Sequence, residues 1–142
     1  MLRVGSTITM EAWDIKYKPN LDWNHAWGAA PANIIVRKLM GVEPISPGGD
    51  QIQIKPQLGS LGFATLKTTL LKGVVEVSYQ KNKLNDQIAI SIPGATTGKI
   101  CLAYNPLKPK IWMDGLALNI QPVDGYFIVT QVPSGKHVFV MQ

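Results

Sequence analysis

From Gln51 onward, apolar and polar residues change places at every second position, in short runs cut by turn residues. The alternation is cleanest in Val75-Glu76-Val77-Ser78-Tyr79 and in Ile88-Ala89-Ile90-Ser91-Ile92. A period of two sends successive side chains to opposite faces of an extended chain, so each run predicts a strand with one buried face. The runs cover Gln51 to Lys55, Phe63 to Leu70, Gly73 to Lys81, Gln87 to Ile92 and Lys99 to Tyr104. They continue over Lys110 to Met113, Leu116 to Ile120, Tyr126 to Gln131 and His137 to Met141. The breaks are Asn82 to Asp86, Pro93-Gly94, Asn105-Pro106, Asp114-Gly115, Asp124-Gly125 and Pro133 to Gly135. Asp-Gly is a hairpin signal, because a tight two-residue turn needs positive φ at both central positions. About eight or nine short strands punctuated this way predict a mainly β fold, an antiparallel sandwich of Greek-key or jelly-roll type.

Ahead of Pro44 the pattern changes. The segment from about residue 23 to 40 predicts one α-helix, with Pro31 in its early turns, where a missing N–H costs little. Ile34, Ile35, Leu39 and Met40 follow helical spacing, Arg37 and Lys38 sit at the C-terminal dipole end, and Gly41 supplies the stop. Pro44 and Pro47-Gly48-Gly49-Asp50 read as a joint between residues 1–43 and 44–142. Met1 to Ile8 reads as a segment arriving from elsewhere, since Leu2 and Val4 have no evident core. The helix stripe needs a partner surface, while the rest of the chain offers only sheet. Self-association through that stripe, or a disordered N-terminal part, is therefore expected.

Composition narrows the class. The 142 residues, 46% hydrophobic and 16% charged, fit one core plus a short appended element. The net charge is +5, but the lysines are scattered singly, as at Lys55, Lys67, Lys72, Lys81, Lys99 and Lys136. That pattern protects strand edges and argues against nucleic acid as a partner. The single cysteine, Cys101, excludes an internal disulfide and lies in an apolar run that reads as buried. The start MLRVGSTI lacks the apolar core of a signal peptide, and no run approaches a membrane span, so no membrane partner is expected. The compartment is left open.

Chemistry concentrates between Thr7 and Pro31, in TITMEAWDIKYKPNLDWNHAWGAAP. Three of the four tryptophans stand there beside Glu11, Asp14 and His25. Tryptophan faces stack on the C–H face of a pyranose, and carboxylates and amides bond its hydroxyls, so the mixture suits a sugar subsite. Glu11 and Asp14, three apart, could serve acid and base roles; from spacing alone, ordinary loop acids capping backbone N–H groups are the commoner case. His25, between Trp23 and Trp27, is by type more often a packed residue than a catalyst. Without a second His or Cys nearby, no metal is expected there, and no cofactor. Asn24 beside it offers donors and acceptors suited to hydroxyls. Trp112 reads as a core or domain-contact residue, and His137 as structural.

The order TITMEAWD, NHAWGAAPANII, a helix, PGGDQIQIKPQ and a small sandwich resembles the C-terminal end of bacterial α-L-rhamnosidases. The likeness extends over the whole chain, through the late IPGATTG, DG, GYF and SGKHVF pattern. It implies that the helix closes an (α/α) barrel and that the sandwich follows as the last domain. On matching positions it implies that Glu11 is the general base of an inverting hydrolysis. Trp13 and Asp14 complete that motif, and His25 hydrogen-bonds the rhamnose with Trp27 beside it. Asn24 joins His25 on the sugar hydroxyls. Met10 departs from the tryptophan of many members. Nothing here matches the family's general acid, which lies upstream. The resemblance thus implies a C-terminal fragment acting on rhamnose-containing glycosides, inactive without the upstream barrel. Two rivals stand beside it: a carbohydrate-binding sandwich using Trp112 and Tyr126, and a purely structural module.

Overall fold

The computed structural model describes Gly5 and residues 9–142, and the expectation for Met1 to Ile8 lies outside the described residues apart from Gly5. The chain forms two compact units, Met1–Ile35 and Val36–Gln142. Ten strands are described: β1 Val42–Pro44, β2 Gln51–Ile54, β3 Phe63–Leu70, β4 Gly73–Lys81, β5 Asp86–Ile92, β6 Thr97–Ala103, β7 Ile111–Met113, β8 Leu116–Leu118, β9 Tyr126–Val132 and β10 Gly135–Met141. They make a four-stranded sheet, in the order β1-β2-β6-β9, and a six-stranded sheet, β3-β4-β5-β10-β7-β8. The mainly β, two-sheet expectation holds.

Alternation explains the core. Val75, Val77 and Tyr79 of β4 and Ile88, Ile90 and Ile92 of β5 are buried from one sheet. From the other come Ile52 and Ile54 of β2, Ile100 and Leu102 of β6 and Phe127 of β9. Asp114 (φ 52) and Gly115 (φ 81) form the tight turn joining β7 to β8, as their sequence requires. Asp124 (φ 50) and Gly125 (φ 78) close only an isolated bridge between Val123 and Tyr126, where the chain leaves one sheet for the other.

Two features depart from the sequence pattern. Strand β1 escapes it because three residues ending in proline carry no alternation. Proline is tolerated there because β1 lies at a sheet edge. Strands β2 and β6 pair in parallel, Gln51 opposite Thr97 through Ile54 opposite Ile100. A parallel pair needs a long crossover, and here the antiparallel run β3-β4-β5 of the other sheet supplies it in place of a helix.

The expected helix begins late and changes pitch. Ala26–Ala29 is a 3₁₀ turn, Ala30–Ile34 an α-helix (α1) with Pro31 at its start, and Ile35–Leu39 a π-type turn. Gly41 ends it at φ 66, where a Cβ would stand 2.0 Å from the Lys55 carbonyl oxygen. The backbone is close because Lys55 N donates to Gly41 O at 3.0 Å and Gln57 N to Leu39 O at 2.8 Å. The apolar stripe divides: Ile34 and Ile35 are exposed, whereas Met40 is buried in the sandwich core and Leu39 packs against it. Sheet side chains thus cover half of a stripe that sequence spacing leaves without a partner.

One buried ion pair sits among these apolar residues. Lys108 Nζ donates to Asp86 Oδ1 and to Asn82 O, each at 2.6 Å, with both charged side chains about nine-tenths buried. The Tyr79 hydroxyl donates to Asp86 Oδ2 at 3.5 Å. Burial, then the nearby Asp86 charge, pushes the Tyr79 hydroxyl well above its ordinary pKa. The pair fixes the loop after β6 to the β4–β5 turn.

Candidate functional site

The unit Met1–Ile35 is held by backbone bonds across a returning loop. The chain turns at Asp14, whose carbonyl accepts from Tyr17 N at 3.0 Å, and again where Leu21 N donates to Lys18 O at 3.2 Å. It then comes back alongside itself: Glu11 N donates to Asp22 O at 3.0 Å and His25 N to Thr9 O at 2.9 Å. Gly28 lies against the same stretch, with room for no side chain, since a Cβ would come within 2.9 Å of Met10 O and of Thr9. The Trp27-Gly28 step therefore needs its glycine for close approach.

This return brings Glu11 and His25 together. Glu11 Oε2 accepts from Asp22 N at 3.2 Å, and Oε1 pairs with the Lys18 ammonium. The Lys18 bond first, then the Asp22 N–H, hold the Glu11 carboxyl below its ordinary pKa. Glu11 is thus ionised at neutral pH, the state a base needs, at some loss of basicity. His25 Nδ1 is 3.6 Å from Asp22 Oδ2, and its ring meets that of Trp27 edge-on at 6.1 Å between centroids.

Other sequence candidates stand differently. Asp14 Oδ1 accepts from Lys16 N at 3.0 Å, so the acid serves its own turn, as spacing alone favours. Trp13 and Trp27 are 95% and 86% exposed, so both rings offer open faces. Asn24 is exposed. Asp22 and Lys18, which line Glu11, were missed from sequence; the signal available was Asp22 three residues before His25. Glu11, Asp22 and His25 each place one ligand-type atom within 4.8 Å of the others. The Lys18 ammonium already supplies a positive charge at Glu11. Among the described residues, no helix is long and apolar enough to cross a membrane.

Residues 41–109, just under half of the chain, match the family model described as the bacterial alpha-L-rhamnosidase C-terminal domain. Three solved structures resemble the chain along nearly all its length. The α-L-rhamnosidase of Dictyoglumus thermophilum is 22% identical with a TM-score of 0.83, covering 100% of this chain and 17% of that one. That of Streptomyces avermitilis, solved with L-rhamnose, is 23% identical with a TM-score of 0.75, covering 99% and 14%. That of Aspergillus terreus is 20% identical with a TM-score of 0.69, covering 99% and 15%. At such identities the likeness is one of fold, and this chain spans about a sixth of the length of those proteins. Among curated proteins none matches the sequence. The family match begins after Trp27, so the Glu11 site lies outside it.

Proposed function

We propose that the chain is the C-terminal part of an inverting α-L-rhamnosidase, in which Glu11 is the general base. Residues 1–43 would contribute the last segment of an (α/α) barrel and residues 44–142 the closing sandwich. The observation that carries this reading is the hydrogen-bonded return that seats an ionised Glu11 beside His25, with Trp13 and Trp27 open to a ligand, ahead of a rhamnosidase C-terminal domain. Glu11 takes a proton from the attacking water, and a carboxylic acid on the opposite face of the sugar protonates the leaving oxygen. Asp22 does not fill that second role. An inverting pair stands roughly 6.5–9.5 Å apart to admit the water, whereas Asp22 and Glu11 approach within 4.8 Å. His25 and Asn24 bind sugar hydroxyls, and Trp13 and Trp27 wall the subsite. Asp14 completes the motif through its turn. The acid comes from the upstream barrel, so this chain alone is inactive.

Hydrolysis of an aryl α-L-rhamnoside tests the reading. The 142-residue chain should show no turnover. Chain joined to an upstream rhamnosidase barrel should turn over, and Glu11→Gln should lower that rate by about 10²–10⁴. Turnover by the chain alone, lost in Glu11→Gln, would overturn the fragment reading; full activity of Glu11→Gln in the joined protein would overturn the base assignment.

A further inference from the structure

The outward face of the six-stranded sheet carries a feature lined by residues of Val36–Gln142 alone. Register places Thr65, Ser78 and Ala89 side by side across β3, β4 and β5, and Glu76 beside Ser91 in the next row. Their neighbours Val75, Val77, Ile88 and Ile90 point into the core, so these four short side chains point outward. Outward positions of an exposed sheet usually bear long polar side chains; four short ones together leave a trough of about 470 Å³. Its floor is methyl and backbone surface, edged by hydroxyls: Thr65 Oγ1 and Ser78 Oγ lie 3.5 Å apart.

The rim is charged and unbalanced. Lys67 Nζ bonds Glu76 Oε1 at 2.8 Å, and both are exposed. Lys136, opposite Ser91 on β10, lies near enough to Glu76 to help keep it ionised. Among the lysines and carboxylates of the lining, two ammonium groups therefore face one carboxylate, and His137 and Val138 of β10 complete the wall. In the adjoining outward row stand Gln80 and Gln87, with Phe63 at one end and Trp112 further along. Phe63 is 75% exposed.

We propose that this trough is a second, non-catalytic saccharide site that prefers a carboxylate-bearing sugar. The apolar floor takes the C–H face of a pyranose, the serine, threonine and glutamine groups take its hydroxyls, and Lys136 takes the carboxylate. A hydrophobic peptide is a poorer fit, because it would bury the hydroxyl edge and the rim charges without partners.

Amide NMR titration of the chain with a trisaccharide of hexuronic acids, beside maltotriose as the neutral control, tests this. The acidic sugar should shift Thr65, Ser78, Ala89 and Ser91 saturably and less strongly as salt rises. Ala89→Trp, which fills the trough from an outward position, and Lys136→Glu should each weaken binding about tenfold or more. Glu11→Gln should leave it unchanged, so the trough and the Glu11 site fail or stand separately. Equal binding of maltotriose, untouched by Lys136→Glu, would overturn the charge preference. Absence of saturable shifts, or shifts confined elsewhere and unaffected by Ala89→Trp, would overturn the site.

Discussion

The two units of this chain spend their tryptophans and isoleucines in opposite ways. Within Val36–Gln142, isoleucines and valines from both sheets fill a shared interior, and the only charges taken inside are paired. Within the described part of Met1–Ile35, Leu21 is the one buried side chain, while Trp13, Tyr17, Trp27 and Ile34 lie more than half exposed. Burial is the dominant stabilising term in folding, so the sandwich can hold its own shape. The Glu11 segment is held by a handful of backbone bonds instead. Among its described residues this segment is rich in exposed aromatics and poor in core.

The sharpest way to break the comparison is inside the sandwich. Lys108→Met leaves Asp86 buried without its cation and should cost about 3–5 kcal/mol in urea unfolding; a loss below 1 would mean that water reaches the pair. Gly41→Ala forces a side chain onto positive φ and into the Lys55 backbone. It should cost at least about 1–3 kcal/mol, seen as a lower thermal midpoint.

A smaller effect concerns Asp114, whose carboxylate pairs with His137 Nδ1 at 2.7 Å and accepts from Val138 N at 2.7 Å. The His137 bond first, then the Val138 N–H, hold its pKa below the ordinary aspartate value. A depressed folded pKa gives stability that is present above the unfolded value, near 4, and lost as pH falls through the folded one. Asp114→Asn should therefore unfold more easily at neutral pH, by on the order of 0.5–1 kcal/mol after solvent screening. The gap from the native chain should close on acidification. A gap that is constant with pH would sink the assignment. The smallest effect sharpens the contrast: Trp13→Ala and Trp27→Ala should each change stability by less than about 0.5 kcal/mol, measured in the same urea experiment. A larger loss would show that these rings are packed in solution.

Most of the sandwich was legible because its residues obey a period of two that burial enforces. The runs at Phe63–Leu70 and Gly73–Lys81 match β3 and β4 end to end. β1 was hidden by its brevity and its proline. The parallel pairing of β2 with β6 was hidden because partner choice between distant strands leaves no local mark. At the site, Glu11 and His25 stood out as residue types, whereas Asp22 and Lys18 did not. Their nearness to Glu11 comes from the return of the loop, a tertiary fact. The division of the helix stripe had the same cause: Met40 was periodic with Ile34 and Ile35, yet only Met40 reached the core.

The parallel pairing bears on the order in which the molecule assembles. β3, β4 and β5 meet through short local turns, whereas β2 must wait for β6, more than forty residues along the chain. Closing that long loop costs entropy before any contact rewards it, so we expect β1 and β2 to join last. Pulse-labelled hydrogen exchange would show their amides protected after those of β4 and β5; simultaneous protection would refute this order. The strands that follow the Glu11 segment in the chain would then be the last to lock. During synthesis β1 and β2 would wait for their partner until β6 had emerged.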